Sequence, residues 1–284
     1  MNYDYIIIGA GSAGCVLANR LSASSTTSVL LIEAGPKDIS PWIHIPLGYG
    51  RLFTNKQLNW SYQSEPEPHL NGRQVFTPRG RVLGGSSSIN GLVYVRGQPE
   101  DYDQWNVPGW SYNEMLPWFI HSENQSRGAD PFHGADGPLS VSDLPDKHEL
   151  ADAFIDAAVA NGIPANSDFN GESQEGAGYF QATMRDGRRV SSATAYLHPV
   201  KHRKNLQVLV NTHVRKVVFT DHRASGVEVV HKGKPAQYSA GRVILSAGSI
   251  NSPAILQHSG VGPASLLQEH GIACLLYTSP SPRD

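Results

Sequence analysis

Six residues, Gly9-Ala10-Gly11-Ser12-Ala13-Gly14, and one acid, Glu33, have the types and spacing to hold a dinucleotide. Each part has its own physical reason. Gly9 allows a tight turn, Gly11 lets the backbone approach a pyrophosphate, and Gly14 lets the following helix pack close to a strand. The helix start, at Ser12 and Ala13, offers unpaired N–H groups and a partial positive charge to phosphates. Glu33, nineteen residues after Gly14 and followed by Ala34, can accept hydrogen bonds from both ribose hydroxyls. It would repel a 2′-phosphate, which disfavours NADP. The motif alone does not separate FAD from NAD. The elements that must position these residues are legible around them. A short apolar strand, Tyr5 to Ile8, precedes the glycines. A helix with Val16, Leu17, Arg20 and Leu21 on one face follows, and a second strand, Val29 to Ile32, ends on Glu33. This order predicts a βαβ unit in an α/β fold.

A second stretch carries further chemistry. Gly84-Gly85-Ser86-Ser87-Ser88 is a small-residue loop that can bring N–H groups and hydroxyls close to a phosphate or a flavin ring. The same residues also fit a serine-rich surface loop. Asn90 and Gly91 then open a bulkier segment, Leu92, Val93, Tyr94 and Val95, suited to packing beneath an isoalloxazine. Residues 206–219 alternate apolar and polar about a short turn and read as two strands. Residues 241–249 read as a last strand running into a small-residue turn, where Ala247 and Gly248 can sit beside a pyrophosphate. A short helix, Pro253 to His258, is expected next.

Residues 80–105 resemble the first signature of the glucose–methanol–choline (GMC) oxidoreductases, FAD-dependent alcohol oxidases and dehydrogenases. Gly80, Arg81, Leu83, Gly84, Gly85, Ser86, Ser87, Ile89, Asn90, Gly91 and Tyr94 carry the match. A second signature lies at 248–263, on Gly248, Ser252, Pro253, Ser259, Gly260 and Gly262. Residues 59–73, 132–141 and 187–199 are also similar to the family. The resemblance runs from residue 3 to about 273 and implies a Rossmann-like FAD-binding domain with an interleaved, incomplete α+β substrate domain. It gives 1–130 and 200–273 to the FAD-binding domain and 131–199, with an amphipathic helix at 150–162, to the substrate domain. It implies that Arg81, Gly84, Gly85 and Ser86 belong to the cofactor site, that Asn90 to Val93 lie near the flavin, and that the backbone at Val214 meets the adenine. Some members attach FAD through a loop histidine. The matching residue here is Ile89, so non-covalent FAD is expected.

The family's catalytic histidine and its His or Asn neighbour lie far toward the C-terminus, with no counterpart in this sequence. His44, His69, His121, His133, His148 and His198 are expected in loops or at helix edges, and none is assigned to catalysis. The basic run 198–205 reads as a solvated connector. The resemblance implies oxidation of a primary alcohol, choline or similar. A base takes the hydroxyl proton, hydride passes to flavin N5, and a quinone-like acceptor or oxygen takes the electrons. Two other readings stand beside it: a truncated chain that binds FAD without catalysis, and an NAD-dependent Rossmann dehydrogenase, which would leave residues 80–105 unexplained.

Composition sets the outer bounds. A 284-residue chain with 39% hydrophobic residues can bury a large core, and 28 glycines and 19 prolines predict many turns. Net charge is −2 with no long run of one sign, which argues against nucleic acid as partner. Cys15 and Cys274 build no disulfide framework, in keeping with a reducing, cytoplasmic setting. Residues 1–8 are too short and wrongly flanked to read as a signal peptide, and no run of 18 apolar residues predicts a membrane span. Peripheral contact at an inner membrane face stays compatible with a quinone acceptor. Finally, CLLYTSPSPRD, residues 274–284, corresponds under one choice of codons to a transposase-type sequencing-library adapter, and is expected to be a non-native tail.

Overall fold

Strand β1 (Asn2–Ile8) is the axis of a six-stranded sheet. It is followed by α1 (Ser12–Leu21) and β2 (Val29–Ile32). The chain returns to the sheet much later with β3 (Leu206–Leu209), β4 (Thr212–Thr220), β5 (Arg223–His231) and β6 (Lys234–Leu245), then α2 (Gly248–His258). The strand order is β3-β2-β1-β6-β5-β4. The first four strands are mutually parallel, and β5 and β4 continue from β6 as antiparallel neighbours. Register aligns the carboxyl ends in one row, with Ile8 opposite both Ile32 and Leu245 and Ile32 opposite Leu209. These coordinates are a computed structural model that describes residues 2–275.

The sequence explains the two halves of this sheet. Every residue of β2 is buried, the continuous apolar run that a parallel strand covered on both faces requires. β4 alternates, with Thr212, Val214 and Val217 buried between more exposed neighbours. Ile6, Ile8, Leu30, Ile32, Val214, Val217, Val227 and Val229 form one core cluster.

Two local expectations are corrected. The face of α1 that is fully buried is Gly14, Cys15 and Ala18, not Val16, Leu17, Arg20 and Leu21. A helix lying this close to a strand has room only for small side chains. The second helix begins at Gly248 rather than Pro253, which sits inside it. The Ser252 hydroxyl accepts from the Ala247 N–H at 3.1 Å and so caps the first turn. The basic run is also more than a connector. Arg203 donates to the Asn19 carbonyl at 2.6 Å, and Asn205 donates to the carbonyls of Ser22, Ser24 and Thr27, closing the chain beyond α1.

Contacts divide the chain into two units. One takes the chain up to Ile39, Leu52–Ile89, and the chain from Ser192 onward; the other takes Ser40–Arg51 and Asn90–Ser191. The second unit holds helices Tyr112–Ser122 and Glu149–Ala160 and short paired strands, Val93–Tyr94 with Gln181–Ala182 and Met184–Arg185 with Arg188–Arg189. No residue of helix Glu149–Ala160 is fully buried, and Leu150 and Phe154 are 71% and 74% exposed.

One loop histidine departs from the solvated expectation. His133 is 2% exposed, and its two ring nitrogens lie 2.9 Å from Glu123 and 2.8 Å from Asp168. Glu123 also receives the Arg96 guanidinium at 2.8 Å. His198 pairs with the buried Asp38 at 3.1 Å. Of the tail, Leu275 donates its N–H to the Gly260 carbonyl at 2.8 Å. Residues 276–284, most of the expected adapter-like stretch, lie outside the described residues.

Candidate functional site

The row of strand ends built from Ile8, Ile32 and Leu245 opens onto a cavity of about 580 Å³ lined entirely by the first unit. Open α/β sheets bind ligands at this edge, where the chain leaves neighbouring strands in opposite directions. Here α1 leads from β1 toward β2, while β6 flanks β1 on its other side.

Two helix starts face this cavity. Gly11, Ser12 and Ala13 line it from α1, and Gly248 and Ser249 line it from α2. The Gly11 N-cap has no side-chain partner, so the first N–H groups of a ten-residue helix stay available. The approach to them is kept open by absent side chains. Gly9 has φ +96°, and a Cβ on Gly14 would stand 1.9 Å from the Gly9 carbonyl oxygen. A Cβ on Gly85 would stand 2.6 Å from the Gly11 Cα, so two glycine loops meet backbone to backbone.

Glu33 is 6% exposed and is held by its neighbours on both oxygens. Ala10 N–H donates to Oε2 and Gly35 N–H to Oε1, each at 2.9 Å. Burial pushes the carboxyl up to about 7, with the two backbone bonds and the nearby Arg81 charge opposing that rise. A carboxylate oxygen has two lone pairs, so each retains one acceptor site.

The far end of the cavity is aromatic and basic. Trp60 and Tyr62 stack at 5.9 Å with planes 7° apart, and His213 meets Trp60 edge-on at 6.0 Å. Tyr62 donates to Asn251 Oδ1 at 2.8 Å, and the Arg81 guanidinium lies 5.1 Å from the Trp60 ring centre. Burial first, then the charges of Arg81, Arg215 and His258, hold the His213 imidazole below its ordinary range. Val214 lines the same end, next to a shift of strand register between Val214 and Lys216.

Comparison with known proteins decides the family. Residues 3–276 match the GMC oxidoreductase family. The chain belongs to it. An alcohol dehydrogenase [acceptor] of Pseudomonas putida is 49% identical over 278 residues, which is 95% of this chain and 50% of that protein. An oxygen-dependent choline dehydrogenase of Sinorhizobium fredii is 47% identical, covering 96% of this chain and 50% of its own. The crystal structure of pyridoxine 4-oxidase from Mesorbium loti superposes with a TM-score of 0.93 at 37% identity, covering 97% of this chain and 55% of that one. The chain spans about half the length of the curated relatives it matches.

Within this GMC chain, the structure gathers Gly9, Gly11, Ser12, Ala13, Glu33, Ala34, Gly85, Ser86, Val214, Ala247 and Gly248 around one cavity. Gly14, Arg81 and Gly84 support its walls without lining it. Gly84 N–H, for example, donates to the Ala10 carbonyl at 2.8 Å. Asn90, Gly91, Leu92 and Val93 belong to the second unit. There Leu92 is buried on Ala182 and Met184, while Val93 is 55% exposed. The serine loop contributes less than its hydroxyl count suggests. Ser87 donates to the Gly84 carbonyl at 2.6 Å and Ser88 to the Leu83 carbonyl at 2.7 Å. The Ser87 hydroxyl also accepts the Ser192 N–H at 2.9 Å, so both hydroxyls are engaged within the protein.

Sequence reasoning assigned no role to Trp60, Tyr62, His213 or Asn251. A signal existed for two of them. Trp60 and Tyr62 stand two residues apart in a proline-flanked stretch, a spacing that puts both on one side of an extended chain.

Proposed function

We propose that this chain is the FAD-holding portion of an alcohol dehydrogenase. The whole protein oxidises a primary alcohol, choline or similar, and passes electrons to a quinone-like acceptor. The carrying observation is the cavity at the sheet's carboxyl edge, faced by two helix starts and a buried acid. The relatives' names, which specify alcohol and choline dehydrogenases, point the same way. The residues fit the cofactor in parts. The N–H groups at Gly11 to Ala13 and at Gly248 would hold the diphosphate, Glu33 and Ala34 the ribose, and Trp60, Tyr62 and Val214 the adenine. Gly85, Ser86 and Asn90 to Val93 would serve the flavin. Bound FAD supplies the two-electron acceptor for the alcohol. Ile89 is 2% exposed and its alkyl side chain can form no bond to a flavin, which supports non-covalent attachment.

No helix among the described residues is long and apolar enough to cross a membrane. We place the protein in the cytoplasm, with peripheral contact at the inner membrane where a quinone serves as acceptor.

FAD titration of the purified chain tests this reading. One flavin should bind per chain, survive gel filtration, and be released unchanged by acid. A chain that takes up NAD but no flavin would overturn it. In the same titration Trp60→Ala should weaken FAD about tenfold to a hundredfold, as loss of a base-stacking ring does.

Glu33 gives a pH signature. Its folded pKa, about 7, lies above the ordinary 4.5. The fold therefore favours the protonated acid. Its contribution to stability is full below about 4.5 and is lost as pH rises to about 7. Urea melts of the ligand-free chain at pH 5 and pH 8 should show this loss, and Glu33→Gln should flatten it. An unchanged slope in the variant would exclude Glu33 as its source.

A further inference from the structure

Arg189 is 2% exposed and sits in a two-residue strand of the second unit. Its guanidinium spans residues distant in sequence. Nε donates to the Ile43 carbonyl at 2.8 Å, Nη2 to the Asn90 carbonyl at 2.7 Å, and Nη1 to Asn90 Oδ1 at 2.6 Å. The same Oδ1 accepts the Leu92 N–H at 3.1 Å. This bond closes a turn in which Leu92 has φ +67°, a left-handed conformation that a leucine adopts only when its surroundings enforce it. Beyond the turn, the Leu92 carbonyl accepts from Thr183 N–H at 2.9 Å.

Two donors on one oxygen fix which way the Asn90 amide faces. A flipped amide would set its NH2 against the guanidinium, donor against donor. Asn90 is exposed, and its Nδ2 donates to no other group among the described residues.

We propose that Arg189 is a positioning residue that locks the Asn90 carboxamide with its Nδ2 hydrogens presented to a ligand acceptor atom. The acceptor class is a carbonyl oxygen or imine-type ring nitrogen. Resting on the FAD reading above, that atom belongs to the isoalloxazine. Burial lowers the Arg189 pKa to about 10, which leaves the clamp charged at neutral pH. A charged donor makes the stronger kind of hydrogen bond. The donor adds to what the turn offers a flavin, because an N–H aimed at its acceptor edge favours the electron-rich reduced ring.

Three chains of 284 residues decide the question: the parent, Arg189→Gln and Asn90→Asp. Aspartate keeps both acceptor bonds, to Arg189 and to Leu92 N–H, and replaces the amide donors with a second carboxylate oxygen whose charge the Arg189 guanidinium faces. Without FAD, hydrogen exchange at the Leu92 amide should quicken about tenfold or more in R189Q. In N90D it should stay at the parent rate. With FAD, a dye-equilibrated reductive titration should give a lower flavin potential for both variants. If R189Q fails to fold, R189K keeps the charge, loses the two-pronged grip on Asn90, and should show the same loss of Leu92 protection. Unchanged exchange in the arginine variants sinks the clamp. An unchanged potential in N90D sinks the donor role. If the parent chain takes up no flavin, the FAD reading fails by itself, and the exchange comparison still decides the clamp.

Discussion

A Gly14→Ala chain should lose much of the first unit's stability, whereas Gly11→Ala should keep it and lose the ligand. The two glycines sit three residues apart in one motif, yet their surroundings differ. A methyl group on Gly14 would stand 1.9 Å from the Gly9 carbonyl oxygen, a backbone atom that cannot swing aside. Either α1 lifts from the sheet or the turn at Gly9 breaks. Overpacking of this kind sits at or above the top of the usual range, about 3 kcal/mol. That is a large fraction of the roughly 5–15 kcal/mol available to a domain. On Gly11 the nearest atom to a new methyl is 3.9 Å away, an ordinary contact, so the fold is unaffected. Gly11 lines the cavity, however, and its methyl would stand where a diphosphate must approach the helix start. Thermal melts and FAD titrations of both variants separate the effects. Equal melting of the two would refute the division of labour. A G11A chain that binds FAD like the parent would move the phosphate site elsewhere.

The sequence showed this half of the molecule well for a physical reason. Close approach of backbone to backbone admits only glycine, so Gly9, Gly14 and Gly85 announce themselves as letters. A wholly buried strand such as Val29–Ile32 does the same. The α1 face was misread because hydrophobic periodicity weighs large side chains. The closest contact in the fold selects the smallest, Gly14, Cys15 and Ala18. Trp60 and His213 were missed for another reason. They meet only because β4 returns to the sheet some 150 residues later (213 − 60 = 153), and no local pattern records such a meeting. His133 shows the same limit: its partners Glu123 and Asp168 lie ten and thirty-five residues away. Read alone, a loop histidine looks solvated.

That histidine carries the second large effect. Glu123→Ala should destabilise the second unit by about 3–5 kcal/mol, the usual consequence of stripping one member from a buried ionic group. Glu123 is fully buried, and one of its oxygens serves both the Arg96 guanidinium and the His133 ring. The other His133 nitrogen faces Asp168. Each ring nitrogen of His133 therefore has a carboxyl oxygen within hydrogen-bond reach. The Arg96 guanidinium, always charged, has Glu123 as its buried carboxyl partner. Without Glu123, the buried Arg96 guanidinium loses its carboxyl partner and the His133 ring loses one of its two. The exposed pair Arg127–Asp143, with side chains 40% and 49% accessible, is the control. Asp143→Ala should cost no more than about 1 kcal/mol, because water and salt already screen that pair. Urea unfolding of the two variants, followed by a probe in the second unit, makes the comparison. If Glu123→Ala proves as mild as Asp143→Ala, the cluster does not hold the unit together. A pair of apolar replacements, Arg96→Met with Glu123→Leu, then sharpens the point. Recovery of most of the lost stability would show that the penalty in the single variant came from stranded charge, and that the ionic group serves to fix the arrangement of residues 94–96, 123–125 and 168–170 more than to add net stability.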